Sequence, residues 1–289
     1  MFKLLKSYYW LAKPGIIYGN DLSAAAGYLL AAQLHHEFEV GKFAAFVGGV
    51  SLVIACGCVL NNVMDRKLDA KMARTKQRVL VTGAIKPHQA RIFAVALGII
   101  GFWLLLAYVN KLTAALGAIG LFFYLVPYGL SKRHTHFGVL VGSVSGATPI
   151  AAGYTAVTDR FDGGAIILFL TMVFWQMPHF YAIALYRYKD YKKAKLPVLS
   201  VSRGSKRVKL EILFYILAFT AAAAALTIAG YNNYTYMAIM VALGFNWLWE
   251  GFSGLKSKDD EAWGRHMFRF SLIVLLVYCV ALAAGPKLP

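Results

Sequence analysis

The strongest constraint on this chain is its recurring apolar runs, each close to twenty residues long. "FAAFVGGVSLVIACGCVL" is one, and "GAIILFLTMVFW" opens another. A helix of about 20 residues crosses the roughly 30 Å of a bilayer's hydrocarbon. Nine such spans are expected, at about 15–34, 43–63, 91–109, 112–130, 137–157, 163–186, 208–230, 235–253 and 267–285. Lipid satisfies no backbone polar group, so only helices or closed barrels can cross it. Barrel-type alternation is absent, which leaves an all-α polytopic membrane protein. Only 15% of the residues are charged, against about 25% in an average soluble domain. The opening "MFKLLKSYYWLAKPG" has neither the apolar core nor the small-residue site of a cleaved signal, and it is too poor in Arg and Ser for an organellar transit peptide.

The net charge of +17 would suit a nucleic-acid binder, but its distribution argues for topology instead. Of 30 Lys and Arg, 26 fall in the amino terminus and the loops after spans 2, 4, 6 and 8. Lys42, Lys111, Arg160 and Lys287 lie on the opposite side. By the positive-inside rule the amino terminus is cytoplasmic and the carboxyl terminus outside. The loops after spans 2 and 6 carry 17 of the 26 cations, more than topology requires, and both also carry acids. Two sets of four spans, 15–130 and 137–253, with 267–285 added, make a candidate repeat within one domain. Cys56, Cys58 and Cys279 sit inside spans and match no metal or disulfide pattern.

After span 2 the chain reads "NNVMDRKLDAKMARTKQRVLVTG". If the helix continues past the lipid, Asn61, Asp65 and Asp69 share one face, with Asn62 beside them. Two carboxylates and amide oxygens are hard ligands suited to Mg²⁺, which fills its shell with waters and phosphate oxygens. Arg66, Arg74, Lys76 and Arg78 follow, and cations flanking a metal are a usual way to hold a diphosphate. The same spacing also fits a solvated helix end whose carboxylates pair with Lys67 and Arg74. The second loop, "YRYKDYKKAKLPVLSVSRG", has a single acid, Asp190, among Arg187, Lys189, Lys192, Lys193 and Lys195. It either relieves repulsion or, standing just after a span as Asp65 does, faces the first motif across a cavity.

Polar residues within spans need a cavity or a partner, because an Asp at mid-bilayer costs roughly 3 kcal/mol. Asn20 and Asp21, Asn246 and Glu250, and the block "WQMPH" are the cases here. Pro178 is expected to kink or end its helix, so that Gln176 and His179 form a cavity wall. A hydrogen bond between helices is the plainer role for His179.

These residues carry a resemblance. The run through Asn61, Asp65, Asp69, Arg74, Thr75 and Arg78 resembles the first signature of the UbiA-type intramembrane prenyltransferases, Asn-Asp-x-x-Asp-x-x-x-Asp followed by Arg-Thr-x-x-Arg. Asn62 departs from that pattern, and Ala194 stands where the second motif, Asp-x-x-x-Asp, has its last acid. With "WQMPHFYAIALYRYKDYKKAKLPVL", "KPGIIYGN" and "GATPIAAGY", the chain resembles the protohaem IX farnesyltransferase (haem O synthase) branch over nearly its whole length. The resemblance implies nine helices around a central cavity open to the membrane. It also implies transfer of farnesyl from farnesyl diphosphate to a vinyl group of haem B, with addition of water and release of diphosphate.

On that reading Asp65, Asp69 and Asp190, aided by Asn61 and Asn62, hold Mg²⁺, while Arg78, Lys189 and Arg74 clamp the diphosphate. Arg187 and Asn20 join the substrate-binding set, Trp175, Phe180 and Tyr181 line the farnesyl channel, and Gln176 and His179 face the haem. Haem B is substrate rather than resident cofactor, and haem-handling or terminal-oxidase assembly proteins are the implied partners. A bacterial plasma membrane is the implied location. A prenyltransferase for an aromatic or quinone precursor is disfavoured by Ala194 and "WQMPH". A transporter of an anionic substrate would explain Asp21 and His179 but not two acidic motifs at the membrane boundary.

Overall fold

The computed structural model describes residues 2–285 and contains helices throughout. In chain order these are α1 (Phe2–Leu11), α2 (Pro14–His35), α3 (Val40–Asp69), α4 (Pro87–Tyr108), α5 (Lys111–Leu125), α6 (Pro127–His134), α7 (Gly138–Thr158) and α8 (Gly163–Tyr186). They continue as α9 (Tyr188–Lys193), α10 (Leu199–Arg203), α11 (Ser205–Ile228), α12 (Tyr234–Lys256) and α13 (Asp260–Ala284). Lys287, expected on the outer side, lies outside the described residues.

Every expected span falls on a helix, but the count of nine crossings is not reproduced. Six segments of the described residues are long and apolar enough to cross a membrane: Val40–Asp69, Pro87–Tyr108, Lys111–His134, Gly163–Tyr186, Ser205–Ile228 and Asp260–Ala284. The helices α2, α7 and α12 have the length but not the hydropathy. Their sequences explain this: α2 carries Asn20, Asp21 and Gln33, α7 is rich in Gly, Ser and Thr, and α12 carries Asn246 and Glu250. Close packing compensates in α2 and α7, which lie against each other. A Cβ on Gly153 would overlap the backbone of α2, and one on Gly27 would overlap Ile150 of α7. Small residues at such crossings let backbones approach, and dispersion then replaces the hydrophobic drive that lipid does not supply.

Two prolines behave differently. The span expected at 112–130 breaks into α5 and α6 at Pro127, which cannot donate to the preceding turn. Pro178, expected to kink or end its helix, does not end α8, which runs through it to Tyr186. The neighbours are the reason α8 tolerates it: α8 packs against α7, α11 and α13, and most of its residues from Thr171 onward are buried. Neighbouring helices commonly make a proline tolerable inside a membrane helix.

The connections at the opposite end of the bundle are short, and the long ones are 70–86 and 187–204. They meet. Met72 of the first packs with Ala194 and Leu196 of the second, with Leu68, Tyr191 and Val198 around them. The three cysteines are free and buried.

Candidate active site

The helix α3 continues unbroken to Asp69, so the four-residue spacing does place Asn61, Asp65 and Asp69 on one face. That face is buried: Asn61 and Asn62 are each 4% exposed, Asp65 7% and Asp69 3%. The solvated helix end is thereby excluded. Lys67 and Arg74 are exposed, and neither pairs with the two aspartates. The partners come from elsewhere. Lys132 and Arg133 of α6 both pair with Asp65, the latter at 2.8 Å. Arg78 lies 2.7 Å from Asp69 and 3.1 Å from the amide oxygen of Asn62. Lys13, between α1 and α2, donates to the Asn61 oxygen at 3.1 Å. Burial pushes the Lys13 amine down to about 8, against the pull of Asp69 and Asp65.

Local structure sets Arg78. The Thr75 hydroxyl donates to the Asp69 carbonyl at 2.8 Å, closing a turn on the end of α3. Leu80 and Ile85 then bury against Leu11, Cys56 and Val59. The loop is folded back onto its own helix, and its Arg-Thr-x-x-Arg segment delivers Arg78 to Asp69. Asn62 also donates to the Leu11 carbonyl at 2.8 Å, which fixes the end of α1.

The second loop is built differently. Asp190 lies on α9, with Arg187 3.9 Å away. Tyr191, whose phenol burial pushes upward, has both Arg74 and Asp190 in its electrostatic surroundings. Lys189 is 89% exposed on its side chain and pairs with Glu261 of α13 at 3.3 Å. The structure thus gathers Asp65, Asp69, Asn61, Asn62 and Arg78, and brings the Asp190 loop against them through Leu68 and Met72. It leaves Lys189 outside that group, because its side chain points to the carboxylate of α13.

An apolar cavity of about 360 Å³ adjoins these residues. Gly15, Ile16, Gly57, Cys58, Tyr124 and Tyr128 line the part next to Lys13 and α3, and Asn20, Trp175, Gln176, His179 and Phe180 line another wall. Tyr124 and Tyr128 stack with centroids 5.7 Å apart, and the Lys132 amine stands 5.0 Å above the Tyr128 ring. Gln176 donates to the carbonyls of Ser143 and Met172, each at 3.0 Å. Asn20 donates to Ile16 of its own helix at 2.7 Å, and the Arg187 guanidinium stacks on the Tyr186 ring. Tyr181 is absent from the lining.

Three of the polar residues within spans have partners away from the cavity. Asp21 accepts from Ser51 at 2.8 Å, Asn246 donates to its own helix at Ala242, and Glu250 pairs with His266 at 2.8 Å.

Sequence reading missed Lys13, Lys132 and Arg133. The last two had been counted only toward the positive-inside bias, and nothing in "LSKRH" marks a binding site. Lys13 sits in "KPGIIYGN", so its signal was present but attached to no role.

Among the described residues no three His, Cys, Asp or Glu side chains form a metal cluster. The donors nevertheless suit Mg²⁺ in kind: two carboxylates and two neighbouring amide oxygens at the end of α3, all hard oxygen ligands.

A buried carboxylate layer ringed by cations, above an apolar cavity inside a helical membrane fold, defines an intramembrane enzyme for an anionic amphiphile. The chain belongs to the UbiA prenyltransferase family, whose profile matches residues 22–273. Protoheme IX farnesyltransferase 2 of Chromobacterium violaceum is 48% identical over 98% of this chain and 94% of that protein. Protoheme IX farnesyltransferase of Klebsiella pneumoniae is 44% identical over 99% and 97%. Among solved structures, a digeranylgeranylglyceryl phosphate synthase superposes with a TM-score of 0.80 at 20% identity, over 99% of this chain and all of that one. A UbiA homologue of Archaeoglobus fulgidus bound to GPP and Mg²⁺ gives 0.72 at 14%, over 96% and 99%.

Proposed function

We propose that this protein transfers the farnesyl group of farnesyl diphosphate to a vinyl group of haem B, giving haem O. The observation that carries the reading is that the apolar cavity walled by Trp175, Gln176 and His179 extends to Tyr128, whose ring carries over it the Lys132 amine that pairs with the buried Asp65. Near-full-length identity of 44–48% to proteins named for this reaction supports the acceptor.

The diphosphate sits against Arg78, Lys13, Lys132 and Arg133, whose charges are already assembled before it arrives. Asp65, Asp69 and Asn61 would hold Mg²⁺, with Asp190 and Arg187 on the second loop and Arg74 near Tyr191. When bound, the metal neutralises charge that grows on the leaving diphosphate. The allylic carbon–oxygen bond breaks with its electron pair going to diphosphate. The vinyl π pair forms the new carbon–carbon bond, and the resulting cation takes water and releases a proton. No protein nucleophile is required. The apolar wall keeps the allylic cation from water until the vinyl reaches it. The Tyr124–Tyr128 pair lies between the cation layer and this wall, where ring faces attract positive charge. Asn20 and Gln176 are polar positions in the wall against which the acceptor rests.

Charge asymmetry supports a cytoplasmic amino terminus in a bacterial plasma membrane. The test is direct: labelled farnesyl diphosphate and haem B are incubated with the purified protein and the porphyrins weighed. A labelled product heavier than haem B by a farnesyl and a hydroxyl group is expected. Hydrolysis without a porphyrin product would sink the acceptor assignment.

A further inference from the structure

We propose that Ser271 is a positioning residue for the acceptor: it fixes His179 as the Nδ1–H tautomer and so turns the Nε2 lone pair to the cavity as a ligand for the haem iron. The inference rests on the reading of haem as acceptor and deepens it.

The argument is one of proton bookkeeping. The Oγ of Ser271 lies 2.7 Å from the carbonyl oxygen of Phe268, one turn earlier in α13. A carbonyl cannot donate, so at that separation the single serine proton lies between the two oxygens. The same Oγ lies 2.7 Å from Nδ1 of His179. Having spent its proton on Phe268, the hydroxyl can only accept, and Nδ1 must carry a hydrogen. A neutral imidazole has one N–H, which leaves Nε2 with its lone pair. Nε2 has no hydrogen-bond partner among the described residues, and His179 lines the cavity. The ring cannot easily turn away. It stacks on Trp175 at 4.9 Å and meets Phe268 at 5.1 Å. Trp175 itself donates to the carbonyl of Ser271 at 2.9 Å, so two side chains one turn apart on α8 grip one residue of α13. Ser271 is wholly buried. A bond from the far ring nitrogen to an oxygen acceptor is the usual way a protein orients a ligating histidine and raises its basicity.

The experiment loads purified protein with ferrous haem B, without farnesyl diphosphate. It records the iron–histidine stretch by resonance Raman and the haem Kd by titration. In H179A the stretch should vanish. In S271A it should move to lower frequency with a Kd about tenfold weaker, within the range usual for loss of such a support. S271T, which keeps the oxygen, should restore both. If S271A does not fold, S271C keeps the volume with a weak acceptor and carries the same comparison. An unchanged stretch and Kd in S271A, alongside a lower Tm, would show Ser271 to be only a staple between α8 and α13. An unchanged spectrum in H179A would remove the ligand and the proposal together, while the product assay on wild-type protein still reports separately whether haem is the acceptor.

Discussion

The two long loops begin alike, each just beyond a span with an acid and a crowd of cations, and the structure gives them opposite physics. After α3 the acids are buried and saturated: Asp69 by Arg78, and Asp65 by Lys132 and Arg133. After α8 the acid stands on a six-residue helix with one cation at 3.9 Å. Ala194, in place of a second acid, is 8% exposed and packs with Met72 and Leu196. The first loop is a preorganised electrostatic site. The second docks onto it through apolar contacts and brings a single carboxylate. Charge crowding in sequence therefore does not measure charge pairing in space. What separates the loops is whether other helices supply the counter-ions.

Removing the first carboxylate should have the largest effect. D65N leaves Lys132 and Arg133 without their anion and, on the proposed mechanism, removes a metal ligand, so turnover should fall about 10³-fold, as several kcal/mol of transition-state charge stabilisation implies. D190N should cost less, about 10-fold to 10²-fold by the same conversion. Equal losses, measured as kcat with farnesyl diphosphate and haem B, would erase the contrast between the loops.

The next test adds the missing acid. A194D completes the Asp-x-x-x-Asp spacing but puts a carboxylate among Met72, Leu196 and Leu68. It should lower stability by about 2–3 kcal/mol, the cost of an unpaired buried polar group, seen as a lower Tm in detergent. A rise in Mg²⁺ affinity with no loss of Tm would mean the position faces the site after all.

Lys13 gives a pH signature. Its amine, depressed to about 8 by burial, is charged below that value and neutral above it. The KM for farnesyl diphosphate should therefore climb as pH rises through 8, by about tenfold for each unit beyond it while the charged amine is required. K13R stays charged throughout and should flatten the profile; a climb that persists in K13R would assign the pKa elsewhere.

The smallest effect should be K189A. With its side chain 89% exposed and paired to Glu261, it belongs to the class of surface pairs worth about 0–1 kcal/mol, and kcat/KM should change less than about fivefold. R78A, removing a cation that touches both Asp69 and Asn62, should lose about 10²-fold. Matching losses at 78 and 189 would mean that Lys189 swings into the site on binding, and would restore it to the diphosphate clamp.

What the sequence settled by itself was whatever a single helix can decide. Apolar runs near twenty residues require helices in lipid, and a 3.6-residue period puts Asn61, Asp65 and Asp69 on one face wherever that helix lies. Hydropathy alone marks six of the helices as crossings; α2 and α7 are polar or glycine-rich and pack closely against each other, and what such packing makes of them depends on neighbours the sequence does not display. The counter-ions belonged to tertiary structure alone. Lys13 meets Asn61 across 48 residues, and Lys132 and Arg133 meet Asp65 across 67 and 68. His179 finds Ser271 across 92. Backbone periodicity is local and survives in any fold, whereas the pairing of side chains far apart in the chain depends on how helices cross, and that is fixed only when the whole set packs together.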